Sequence, residues 1–183
     1  MSWFWIFSGM LMVGVVAQVG LSRMSTVELK PGDTAPDFKL RGSDGKMYEL
    51  AEVLKRQAVV LAWFPKAFTP GCTAECRSFR ADGNRLREFD VAYFTASCDT
   101  PEKNREFAES LHADYPILSD PNGEVAEAYG VVKPSRRVTH RWTFIIGTDG
   151  KILAIDKDVN TSTHAIDVAK HLEELGVARK PQE

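Results

Sequence analysis

Cysteine is scarce in this chain. Three occur in 183 residues, an odd number and too few for a disulfide framework, so a cysteine that matters here matters through reactivity or metal binding. Neither sign of charge dominates: 23 Lys and Arg stand against 25 Asp and Glu, a formal net charge of -2. That balance provides no basic field to draw in polyphosphate and argues against a nucleic-acid partner. Internal repeats and low-complexity tracts are absent as well, and the composition excludes disordered, collagen-like and coiled-coil architectures. What is present suits one folded unit: 44% hydrophobic and 26% charged residues. A domain near this length buries about 68–70% of its unfolded surface and needs no covalent staples.

The length leaves room for one domain and a short extension, and the extension is at the amino end. From Ser2 to Ser22 no residue is charged, and Trp3, Phe4, Trp5, Ile6 and Phe7 open an apolar run that continues to Leu21. Its length is about that of a bilayer crossing. Three readings fit. As a membrane anchor over residues 2–22, with Arg23 and Lys30 beyond it, the segment keeps the domain on the cytoplasmic face. As a cleaved signal peptide ending near Ala17 it sends the domain to the periplasm or outside, though its first residues carry no Lys or Arg. With translation starting at Met24, Met24-Ser25-Thr26-Val27-Glu28 reads as an ordinary cytoplasmic terminus. Each leaves residues 1–23 outside a domain expected over 27–178.

Within that domain strands alternate with amphipathic helices. Phe38–Leu40 and Lys46–Leu50 flank Gly42-Ser43-Asp44-Gly45 as a small hairpin. Ala58–Phe64 is an unbroken apolar run, as a strand buried on both faces requires, and Val91–Ala96 is another. A helix from about Pro70 to Phe89 lies between them, which implies parallel pairing. Thr100 and Pro101 open a further helix. Pro116 makes Tyr115–Leu118 an edge or strand-end element. Trp142–Ile146 and Lys151–Ile155 flank Thr148-Asp149-Gly150 as a hairpin. A last helix runs from Thr163, with Ile166, Ala169, Leu172 and Leu175 as its apolar positions and Gly176 as its stop. This α/β order predicts a thioredoxin-like fold, a central mixed β-sheet flanked by helices.

The segment richest in chemistry runs from Phe64 to Cys76, Phe-Pro-Lys-Ala-Phe-Thr-Pro-Gly-Cys-Thr-Ala-Glu-Cys. It leaves the carboxyl end of a central parallel strand, where open α/β sheets bind ligands. Thr69 as N-cap and Pro70 at the first helical position put Cys72 in the first turn. Unpaired backbone N–H groups and the helix dipole favour an anion there, and thiols at helix starts ionise more readily than free ones. The position predicts a nucleophile.

These residues resemble the peroxiredoxins, most closely the peroxiredoxin Q or bacterioferritin-comigratory-protein branch. Pro65, Thr69 and Cys72 match the family's Pro-x-x-x-Thr-x-x-Cys motif, and Arg141-x-Thr143-Phe144-Ile145-Ile146 followed by Asp149-Gly150 resembles the strand that delivers its active-site arginine. The likeness runs from about Lys30 to Leu175. It implies a thiol-dependent peroxidase acting on hydrogen peroxide and organic hydroperoxides through a sulfenic acid on Cys72. Gly71 and Cys72 backbone N–H groups, the Thr69 hydroxyl and the Arg141 guanidinium are its implied donors, with Pro65 shielding the sulfur. It further implies thioredoxin or a similar thiol as reductant, no metal or organic cofactor, and a monomer or weak homodimer.

The second sulfur departs from the family pattern. A resolving cysteine in the same helix stands five residues after the nucleophile, which here is Arg77; the cysteine is one earlier, Cys76. Residues i and i+4 share a helix face, yet their parallel Cβ vectors strain a bridge, and Cys72, Cys76, Phe79 and Leu86 form one stripe that equally suits a core. Cys98, at the end of the Val91 strand, is the other candidate, expected near the same pocket; an external thiol is the third route. A membrane-tethered copper chaperone of thioredoxin-like fold, with Cys72, Cys76 and a distal His164, is the alternative from another class. Lys133, Arg136, Arg137 and His140 form a basic loop, read as solvated surface or a reductant contact.

Overall fold

Side-chain alternation decides which face each central strand presents. In the computed structural model, which describes residues 28–133 and 138–181, strand β3 (Ala58–Trp63) is buried along its whole length. Val60 and Ala62 face one apolar cluster, while Val59, Leu61 and Trp63 face a second. Two-sided burial explains why this strand lacks polar alternation. Helix α2 (Pro70–Arg87) follows it and strand β4 (Val91–Ser97) follows the helix; β4 pairs parallel to β3 from Ala58↔Val91 to Trp63↔Ala96.

The hairpin β1 (Lys39–Gly42) and β2 (Met47–Glu49) runs into the short helix α1 (Leu50–Leu54). After β4 come α3 (Pro101–Leu111), β5 (Ile117–Ser119) and α4 (Glu124–Ala128). Strands β6 (Thr143–Ile146) and β7 (Ile152–Asp156) form the second hairpin, and α5 (His164–Glu174) ends the order. The seven-stranded mixed sheet has the order β2-β1-β5-β4-β3-β6-β7. Helices α2, α3 and α5 supply the cluster on one face, and α1 and α4 line the other.

Two local expectations need correction. Strand β5 is no edge: it lies between β1 and β4, and Pro116 sits just outside it, where the missing N–H is not needed by the ladder. In α5 the buried positions are His164, Ala165, Val168 and Leu172, while Ile166 and Leu175 are exposed. The helix is rotated from its most apolar stripe because its amino end docks a polar group on α2. Trp63 is core as expected, but Trp142 precedes β6 and is half-buried, stacked on His140 at 5.0 Å under Lys157. At the carboxyl end, backbone bonds from Asp90 to Ala178 and from Lys180 to Glu88 carry the fold slightly past residue 178. The apolar segment 1–23 lies outside the described residues.

Candidate active site

Thr69 takes an extended conformation (φ -86°, ψ 150°) and Pro70 starts α2, so Cys72 is the third helical residue. The Thr73 amide closes the first turn on the Thr69 carbonyl at 2.8 Å, which leaves the Gly71 and Cys72 amides without intrahelical acceptors. The Thr69 hydroxyl does not cap the helix; it donates to the Lys66 carbonyl at 2.9 Å, leaving its oxygen lone pairs free. The loop ahead is tied down at several points. Pro65 is half-buried two residues past the end of β3, and the Phe64 carbonyl accepts from the Thr139 hydroxyl at 2.7 Å. The Ala67 amide donates to Asp99 at 2.7 Å, and Asp99 is paired with Lys103 at 2.5 Å. Those anchors hold Phe68 in the left-handed region (φ 65°), strained for a side chain of its size, with its half-exposed ring on Phe107 at 5.0 Å.

Arg141 reaches this turn through strand register. Because β6 runs antiparallel to β3 with Thr143 opposite Ala62, and Trp63 donates to the Trp142 carbonyl at 2.8 Å, the residue before Trp142 arrives where α2 begins. Its Nη2 donates to the Cys72 Sγ at 3.5 Å, across 69 residues of sequence. The thiol itself is 1% exposed, so only a small reactant reaches it.

Glu75, which the sequence reading passed over, completes the arrangement. Arg141 Nη1 donates to Glu75 Oε2, and the Glu75 side chain is fully buried. A buried carboxylate costs several kcal/mol unless paired, so the guanidinium is held on both sides by negative groups when the thiol is ionised. The missed signal was a charge inside an apolar stripe, three residues after Cys72 and one before Cys76. Glu75 Oε1 faces His164 Nδ1 at 3.1 Å, and His164 Nε2 lies 2.8 Å from the Thr143 hydroxyl. Burial first, then the positive charge of Arg141, pushes the His164 imidazole below its ordinary range and keeps it neutral at physiological pH.

Of the other two cysteines, Cys76 shares the apolar cluster of Cys72 one turn further along α2, and Cys98 does not. Cys76 is fully buried on the apolar side of α2, its backbone carbonyl accepting from the Tyr115 hydroxyl at 2.8 Å, and burial pushes its thiol up to about 12. Cys98 is not near the pocket. Along β4 and at the residue just past it, Val91 and Tyr93 face the cluster that holds Cys72, whereas Phe94, Ala96 and Cys98 pack in the opposite one. Burial, with Asp120, Asp99 and Glu127 nearby, pushes the Cys98 thiol up to about 12. Both His164 ring nitrogens face Glu75 and Thr143, so the imidazole does not join Cys72 and Cys76 in the copper-binding arrangement. Of the basic loop, Arg136 and Arg137 lie outside the described residues.

The AhpC/TSA family model matches residues 31–155. Peroxiredoxin Bcp of Escherichia coli (strain K12) is 36% identical over 142 residues, 74% of this chain and 90% of that protein. The crystal structure of peroxidoxin BcpB from Mycobacterium tuberculosis superposes with a TM-score of 0.74 at 34% identity, covering 80% of this chain and 98% of that one. A Xanthomonas campestris bacterioferritin comigratory protein, studied for alkyl peroxide reduction, shares the fold with a TM-score of 0.69 at 22% identity over 75% of this chain and 90% of that one.

Proposed function

The chain belongs to the AhpC/TSA family, as a peroxiredoxin, and from that premise we propose that its thiol-dependent peroxidase chemistry is carried by Cys72, Thr69, Arg141 and Pro65. One observation carries the assignment: Arg141 Nη2 lies 3.5 Å from the Cys72 sulfur at the first turn of α2. The Cys72 thiolate attacks the hydroxyl oxygen of a hydroperoxide in line with the O–O bond. That bond breaks, the bonding pair leaves on the second oxygen, and the alkoxide or hydroxide takes a proton from water to become alcohol or water. Sulfur is oxidised to sulfenic acid and the peroxide is reduced. Charge growing on the leaving oxygen is met by Arg141 and the free Gly71 and Cys72 amides. Thr69, its proton committed to Lys66, accepts from the peroxide O–H and aligns it. Pro65 narrows the approach.

The substrate class is hydrogen peroxide and organic hydroperoxides, the latter supported by the alkyl peroxide reduction studied in the Xanthomonas protein. For recycling, the buried Cys76 and the cross-sheet Cys98 favour an external thiol, thioredoxin or a similar reductant. Its thiol condenses with the sulfenic acid to a mixed disulfide and water, and a second thiol releases Cys72 as the reductant leaves oxidised. The protein acts as a monomer or weak homodimer on the cytoplasmic side, tethered where residues 2–22 serve as an anchor.

Peroxide consumption with a thioredoxin system tests the assignment. Cys72→Ser abolishes turnover, and Arg141→Ala slows the peroxide step by about 100-fold or more; retained activity in Cys72→Ser overturns it. Mass spectrometry after one equivalent of peroxide tests the recycling route. A sulfenic acid that persists until thiol is added supports an external resolver, and an internal disulfide to Cys76 or Cys98 overturns that route.

A further inference from the structure

The peroxide chemistry above uses Arg141 but leaves one fully buried titratable side chain beside it without a role. We propose that His164 is a positioning residue for the peroxide step: its imidazole holds one oxygen of Glu75, so that the other keeps Arg141 aimed at the Cys72 sulfur. The inference rests on the peroxidase reading and adds a residue to it.

The contacts form one line from β6 to the thiol. Thr143 meets His164 Nε2 at 2.8 Å, His164 Nδ1 meets Glu75 Oε1 at 3.1 Å, Glu75 Oε2 accepts from Arg141 Nη1, and Arg141 Nη2 donates to Cys72 Sγ at 3.5 Å. Glu75 and His164 are both 0% exposed. Among the described residues neither Glu75 Oε1 nor His164 Nδ1 has an aligned hydrogen-bond partner, and each is the polar atom that faces the other, at 3.1 Å. The tautomer follows from the neighbours. Nδ1 faces a carboxylate oxygen and must carry the proton, which makes Nε2 the acceptor for the Thr143 hydroxyl. A neutral imidazole therefore bonds Thr143 on one side and turns an N–H toward Glu75 on the other without adding charge.

Packing alone does not ask for histidine here. The ring lies edge-on to Phe79 at 4.8 Å between α2 and α5, a place a leucine or phenylalanine fills at less desolvation cost. The histidine is also rigidly mounted. It opens α5, and the next amide, Ala165, donates to Ser78 Oγ on α2 at 3.0 Å, so both sides of the His164–Glu75 contact move as one body. Without the imidazole, the buried Glu75 Oε1 loses the one polar group that faces it. The carboxylate relieves this by rotating or by taking up a proton, and either change loosens the grip on Arg141. Orientation of the guanidinium suffers while its charge stays beside the thiol.

That separation supplies the test. Asparagine places an amide donor near the Nδ1 position and glutamine near Nε2, so the two variants divide the role by geometry. Wild type, His164→Asn, His164→Gln and His164→Leu are compared for the second-order rate with hydrogen peroxide, for alkylation of Cys72 by iodoacetamide at the same pH, and for thermal unfolding. Alkylation reads the thiolate without needing two donors on an O–O bond. Expected are a peroxide rate lower by about 10- to 100-fold in His164→Gln and His164→Leu, alkylation within about twofold of wild type, and recovery of most of the peroxide rate in His164→Asn. Equal behaviour of Asn and Gln, an unchanged peroxide rate in His164→Leu, or peroxide and alkylation rates falling together overturns the proposal. If wild type itself consumes no peroxide, the peroxidase reading fails first; if wild type is active and the Gln variant equally so, only the role of His164 fails.

Discussion

Adding one methyl group to Gly71 probes the arginine geometry without removing any polar atom. An ideal Cβ on Gly71 lies 3.2 Å from Arg141 Nη2 and 4.0 Å from its Cζ. Comfortable non-bonded separations start at about 3.5 Å, so the guanidinium must retreat by about 0.3–0.5 Å. It cannot do so freely, since Nη1 is bonded to the buried Glu75 and Nη2 to Cys72. If a displacement near 1 Å costs about 100-fold in rate, one of this size costs about 3- to 10-fold. Stability moves the other way: alanine outranks glycine by up to about 1 kcal/mol inside a helix and by less at the second position, where Gly71 sits. Stopped-flow measurement of the peroxide rate and thermal unfolding are expected to show Gly71→Ala slower and no less stable. The decisive control is the same change in an Arg141→Ala background, where it should cost nothing more. Full activity in the single variant, or the same fold-loss without the arginine, refutes the argument that this glycine is kept for the guanidinium.

The remaining expectations follow from particular bonds. Thr69→Val removes the oxygen that aligns the peroxide and is expected to lower the peroxide rate by about 100-fold or more, while Thr69→Ser stays within a few-fold, both read by stopped flow. Asp99→Ala frees the Ala67 amide and Lys103; it should lower the urea unfolding free energy by about 1.5–3 kcal/mol and slow the peroxide rate by about 10-fold, and Asp99→Asn should restore much of both. His164 is held below its ordinary value by burial and Arg141. The unfolded chain therefore binds the extra proton first, and this share of stability is complete above about pH 6.5 and lost as pH falls further. Urea midpoints at pH 7 and pH 5 should differ more in wild type than in His164→Asn.

Local rules made much of the fold and the chemistry legible. Thr69-Pro70 marks a helix start whatever surrounds it, the apolar runs at Ala58 and Val91 can only be buried strands, and a cysteine one turn into that helix is placed by the helix alone. Those features depend on neighbours a few residues away, which the sequence displays directly. The rest depended on how distant segments pair. Antiparallel register between β3 and β6 brought Arg141 within 3.5 Å of Cys72, and the docking of α5 on α2 joined Glu75 to His164. Strand parity put Cys98 across the sheet, and the pairing of β1 with β5 turned an expected edge into an interior strand. In each case the energy comes from burying groups far apart in sequence against each other, so only the assembled tertiary structure decides which of them meet.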